Sequence, residues 1–221
     1  MTPRIVDLST PLYDGIRGLE TEPKTTIDTE GYNTTTLHLY SHTSTHMDAP
    51  RHFVAGGDAI DEVDLRACVG SADVIDLTAT EPNGVIGVED LAHHESRIGA
   101  GARLLLRTDW CLHVEADDFR THMPRISLEL ARWLVERQVA LLGVETPSVA
   151  SVRPGHEQEL RDVHRALLEG GHRHRRRAVQ PARAAPGSGP RRGAAAAGTW
   201  MRRIPRTCHR HRRVTKPEQT S

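Results

Sequence analysis

The chain has 221 residues, with 37% hydrophobic and 26% charged, which excludes a wholly disordered protein and allows one domain with a sizeable core plus an appendage. No run of about 18 apolar residues is present, so no membrane span is expected. The formal net charge of zero hides a split: residues 1–171 hold 15 Lys and Arg against 28 Asp and Glu, and residues 172–221 hold 14 against the single acid Glu218.

In chain order, Arg4–Ser9 and Thr34–Tyr40 alternate apolar or β-branched residues with polar ones and read as strands. Ala72–Leu77 is a third strand, Val88–His93 a short helix, and Ala102–Thr108 a strand with a buried stretch. Ser127 caps an amphipathic helix over Leu128–Arg137, and a strand follows at Val139–Val144. A helix over Glu159–Glu169 is expected to stop at Gly170-Gly171. Strands and helices mix without an internal repeat, which gives an α/β or α+β domain over residues 1–171. The remainder, 172–221, is a basic, low-complexity tail.

The three cysteines, Cys68, Cys111 and Cys208, are odd in number and lack CxxC spacing. Cys111, next to Trp110 with no nearby catalytic partner in sequence, reads as a buried thiol. The odd number and the spacing argue against a disulfide scaffold or a cysteine-built zinc module and fit a reducing cytoplasm. The opening residues lack the apolar core of a secretory signal, which points the same way.

The chemistry concentrates at Ser41-His-Thr-Ser-Thr-His-Met-Asp-Ala-Pro-Arg-His-Phe53. Zinc-type divalent ions take neutral imidazole nitrogens and carboxylate oxygens. In an extended segment His42, His46 and Asp48 point to one side, and His52 continues the even series. The alternative is a surface loop that happens to be His-rich, and three His and an Asp in one phase favour a metal site over it. A Ser-His-Asp hydrolase is disfavoured because there is no GxSxG elbow. His93, His94, His113 and His122 read as solvated surface residues, Trp110 and Trp133 as core or pocket residues, and His156 as a rival to His164.

The segment from His42 to Phe53 closely resembles the H-x-G-T-H-x-D-A-P-x-H-F signature of the cyclase family of metal-dependent hydrolases, which includes bacterial kynurenine formamidases and isatin hydrolases. Val6–Ser9, Arg107–Trp110, Ala131–Leu134, Leu142–Ser148 and His164–Gly171 add to the likeness, which spans about residues 4–171. It implies a swivelling β/β/α fold and an amide or lactam hydrolase, N-formylkynurenine in tryptophan catabolism being the best-known substrate. It implies His42, His46 and Asp48 as metal ligands, with Asp48 bridging to a second ion that His164 also binds, and His52 as the proton-transferring residue. The cofactor implied is zinc, one ion or two, with manganese as the alternative. A small-molecule substrate and a homodimer follow from the same likeness. Ser44 stands where the family has Gly, so a left-handed backbone there would be strained, and Glu145 stands where Asp is common.

After Gly171 the family continues into a strand of the type I-x-I-x-E-G-L-x-N-L whose Glu is a metal ligand. Here the chain reads His172-Arg-His-Arg-Arg-Arg-Ala-Val-Gln-Pro181. Removing one base permits Ile-Val-Ile-Val-Glu-Gly-Leu-Cys-Asn-Leu from the same codons, with Glu at position 176. The tail therefore reads as out of frame, and the chain as written is expected to hold metal weakly and turn over poorly or not at all. The alternative is a non-catalytic protein whose basic tail contacts nucleic acid through phosphates. With one aromatic, Trp200, and no recognition motif, sequence-specific binding is unsupported.

Overall fold

The structure, a computed structural model, describes the backbone of residues 8–178 and the side chains of residues 8–170. The strand expected at Arg4–Ser9 lies mostly outside these residues, as do residues 179–221 of the tail, whereas positions 172–178, where the shifted reading puts most of its Glu-bearing strand, are helical in the chain as written.

The first element, strand β1 (Leu19–Thr25), is followed by a single turn of helix, α1 (Ile27–Glu30), and by β2 (Thr34–Leu39). β1 and β2 pair antiparallel, with Leu19 opposite Leu39 and Pro23 opposite Thr35. β1 gave no strand signal because Leu-Glu-Thr-Glu-Pro-Lys-Thr is polar and carries a proline. Its partner supplies the order, and the register shifts between Pro23 and Thr25, where the missing N–H of proline is tolerated.

After α2 (Leu65–Cys68) comes the main sheet, made of β3 (Asp73–Asp76), β5 (Arg103–Arg107) and β7 (Leu141–Val144), all parallel, with β5 central. A second parallel pair joins β4 (Val85–Ile86) to β6 (Arg125–Ile126). Helix α3 (Leu128–Glu136) starts at Ser127, whose hydroxyl accepts the Leu130 N–H at 2.9 Å, as expected. Helix α4 (Glu157–Ala178) packs on α3 and on the turn at Pro50–His52. The helix expected at Val88–His93 is a 3-10 helix over Glu89–Arg97. The mixed architecture bears out the α/β expectation.

The core joins Ile75, Leu104 and Leu106 from the sheet to Leu130, Ala131 and Leu134 of α3 and Val163 of α4. Each of these Ile, Leu and Val side chains contributes roughly 1.5–3 kcal/mol by leaving water. Trp110 is buried and donates its indole N–H to the Phe119 carbonyl at 2.9 Å, while Trp133 packs at the core margin beneath the Arg137 guanidinium.

Two expectations are corrected. Helix α4 does not stop at Gly170-Gly171 but runs on to Ala178, across the boundary expected at 171. Gly170 is there for packing, because a Cβ at this position would collide with the Val135 methyls of α3. Cys68 is a free thiol, and Cys111 is half-buried with its Sγ 3.6 Å from Glu145 Oε1, so it is not the fully buried thiol expected. Among the described residues, no helix is long and apolar enough to cross a membrane.

Candidate metal centre

β2 delivers the chain through Tyr40 into a series of turns over residues 41–45, not into further strand. His42, His46 and Asp48 therefore come together as expected, but through turns and not through the alternation of an extended strand. The turn at Ser44, with φ of +58°, folds the segment back on itself. Thr43 is buried and its hydroxyl donates to the Gly18 carbonyl at 3.0 Å, while the Tyr40 N–H donates to the same carbonyl at 2.8 Å. Gly18 has φ of +86° and lies so close to Thr43 and Tyr40 that a side chain there would clash. The site-bearing loop is thus seated on the start of β1.

Three atoms converge. His42 Nδ1 lies 3.1 Å from His46 Nε2 and 3.1 Å from Asp48 Oδ1, and His46 Nε2 lies 3.6 Å from Asp48 Oδ1. Among the described residues, this is the group of His, Cys, Asp and Glu side chains whose ligand atoms come within 4.8 Å of one another. Each side chain is about a quarter exposed, at 25%, 26% and 28%, so a small molecule can reach it.

The protonation pattern follows from the partners. His46 Nδ1 is 2.8 Å from the Ser44 carbonyl, which can only accept, so Nδ1 carries the proton and Nε2 presents a lone pair inward. Asp48 Oδ1 is buried without a hydrogen bond. A buried, unsatisfied carboxylate oxygen is costly. A divalent cation would satisfy it together with the two imidazole nitrogens, so the residues fit such an ion.

His52 and His164 stand beside this group. The His52 ring centroid is 4.2 Å from that of His42 and 6.1 Å from that of His164. Partial loss of solvent holds His52 below the ordinary imidazole range; Asp48 opposes this, and His42 and His46 add to it. His164 is only 6% exposed. It stacks on Phe53 at 4.4 Å and donates Nδ1–H to the Leu160 carbonyl at 2.7 Å. Burial pushes its pKa down, against the raising effects of the Leu160 carbonyl and Asp48. Both rings are therefore neutral near pH 7.

The other histidines are elsewhere. His156 pairs with Glu159 and Arg153, which removes it as a rival to His164. His94 contacts Arg97, His122 lies near Asp118, and His113 stacks on Trp110. Glu145 accepts the Thr108 N–H at 2.8 Å at the carboxyl end of the sheet. Residue pattern does not reveal the contact of His46 with the Ser44 carbonyl. A backbone acceptor leaves no mark in residue identity, and only the odd residue at a glycine position hinted at it.

Several known proteins resemble this chain. The Cyclase family model matches residues 6–151. Kynurenine formamidase of Bacillus mycoides (strain KBAB4) is 34% identical over 136 residues, covering 62% of this chain and 60% of that protein. The Bacillus cytotoxicus kynurenine formamidase is 35% identical over 131 residues, covering 59% and 58%. The chain spans about 60% of the length of the curated relatives it matches. Isatin hydrolase A from Ralstonia solanacearum superposes with a TM-score of 0.59 at 28% identity, over 74% of this chain and 71% of that one. A protein described as a predicted metal-dependent hydrolase from Bacillus stearothermophilus shares the fold, with a TM-score of 0.61 at 24% identity, over 77% and 80%. With the family model covering most of the chain and the His/His/Asp group in place, the chain belongs to the cyclase family.

Proposed function

We propose that this protein is a metal-dependent hydrolase of a non-peptide C–N bond, taking an aryl formamide or a lactam, with N-formylkynurenine the first substrate to try. The observation that carries the reading is the convergence of His42 Nδ1, His46 Nε2 and the buried, unbonded Asp48 Oδ1. The names of the relatives, kynurenine formamidase and isatin hydrolase, supply the bond type.

In this reading His42, His46 and Asp48 hold the ion, zinc before manganese, because two imidazoles and a carboxylate suit both and zinc is the commoner choice for such a set. When bound, the ion supplies a lowered water pKa and Lewis acidity at the scissile carbonyl. His52, neutral near pH 7 and packed against His42, accepts a proton and passes it to the departing nitrogen. With Nδ1 committed to Leu160, His164 has Nε2 as the nitrogen that would hold a second ion together with Asp48. Phe53 covers one face of His164 and limits its water. The working protein is a homodimer in the cytoplasm.

The test measures metal content and hydrolysis of N-formylkynurenine in the full chain, its His46→Ala variant, and the chain with one base removed at codon 172. Metal and turnover should be greatest in the shifted-frame protein, weak in the chain as written, and absent in His46→Ala. Full metal loading in His46→Ala would overturn the assignment of the site. High turnover by the chain as written would overturn the out-of-frame reading.

A further inference from the structure

The metal loop is tied to a segment far away in the chain. Ser44 donates its hydroxyl proton to the Thr10 carbonyl at 2.9 Å, and the Thr10 N–H donates to Thr45 Oγ1 at 2.9 Å. Both backbone groups of one residue are therefore held by two adjacent side chains 34 and 35 positions later. Ser44 also sits at φ of +58°, and its own carbonyl receives the His46 Nδ1 proton at 2.8 Å. A non-glycine residue in this conformation is strained, and one ordinary hydrogen bond returns free energy of the same order. The two effects are similar in size, so the serine hydroxyl offsets the strain that glycine would avoid.

The geometry points to Ser44 as a positioning residue for the metal centre: its hydroxyl and Thr45 latch the loop to the Thr10 backbone, which aims the Ser44 carbonyl at His46 and keeps His46 Nε2 facing Asp48. This rests on the proposed metal site and goes beyond it. It makes the segment before β1 part of the site, and it gives a purpose to the departure from glycine. Groups that orient a metal-bound histidine commonly change metal affinity by 10–100-fold when removed.

The test uses the full chain, with zinc ion alone as probe. Ser44→Ala and Thr45→Val each remove one bond of the latch without touching a ligand atom. Thr10→Ala removes neither, since both bonds use the Thr10 backbone. Zinc affinity, measured by competition with a chelating dye, should fall about tenfold in the first two and stay unchanged in Thr10→Ala. In the metal-free protein, the ring nitrogen-15 shifts of His46 should report the Nδ1–H tautomer in the parent and a tautomer mixture in Ser44→Ala. Equal affinities and equal ring shifts overturn the latch, even if thermal stability falls, because stability alone would mark a merely structural bond. If the parent takes up no zinc, the reading of the site fails separately. The latch is then decided by the ring shifts: unchanged shifts in Ser44→Ala overturn it, and a mixture upholds it.

Discussion

His164 lies on Phe53 with ring centroids 4.4 Å apart and 21° between the planes, while its neighbour Val163 is fully buried in the core. One turn of α4 thus serves the core and the metal loop at once. The α4 seat against α3 should therefore be felt at the site as well as in stability.

Gly170→Ala tests that seat. Its methyl would press into Val135, and overpacking of this kind costs about 1–3 kcal/mol. Urea unfolding should show the loss, and Val135→Ala in the same chain should recover part of it, because the two side chains then share the space. Additive losses in the double variant would show that the two residues do not meet.

Asp48→Asn keeps the shape of the side chain and removes its charge. The buried Oδ1 would no longer draw a cation, so metal retention should fall at least tenfold with little change in unfolding temperature. Elemental analysis after dialysis checks this, and a fully loaded variant would contradict the placement of the ion.

His52→Ala separates proton transfer from metal binding. The variant should keep its metal, while turnover falls by about 10²–10⁴. Parallel assays of metal content and rate on the shifted-frame protein measure both. Loss of metal along with rate would make His52 a ligand.

Stability should depend on pH through His164. Its pKa in the folded chain is depressed, chiefly by burial, whereas the unfolded chain takes up the proton near pH 6.5. The stabilisation is complete above pH 6.5 and is lost as pH falls from there through the folded value. His52 is shifted in the same direction and adds to the effect. Urea midpoints of the metal-free chain should drop on going from pH 8 to 5.5, and His164→Gln should flatten the slope. Glu157 and Glu159, both lowered, lose their contributions only in more acidic solution, below the ordinary carboxylate value near 4.5.

Much of the fold could be read from residue pattern. Thr34–Leu39, Asp73–Asp76, Arg103–Arg107 and the Ser127-capped helix all carry strong local signals, and each appears within a residue or two of its expected bounds. β1 could not be read, because its order comes from β2 and not from its own polar residues. Gly170-Gly171 misled for the converse reason: a glycine that ends helices also lets two helices touch, and residue type alone does not say which applies.

The same division holds at the site. The sequence by itself determined which side chains are candidates to hold an ion, because two imidazoles and a carboxylate within seven residues offer the donor types that zinc-like ions take. It also marked Ser44 as the residue out of place. Only the tertiary structure decided how those groups meet. A left-handed turn, not an extended strand, brings His42 and His46 together; contacts from Gly18 and Thr10 hold that turn in place, and α4 packs on the following turn at Pro50–His52. The reason is physical: ligand chemistry belongs to the side chain, whereas aim and protonation are set by backbone carbonyls and packing partners that lie far away along the chain.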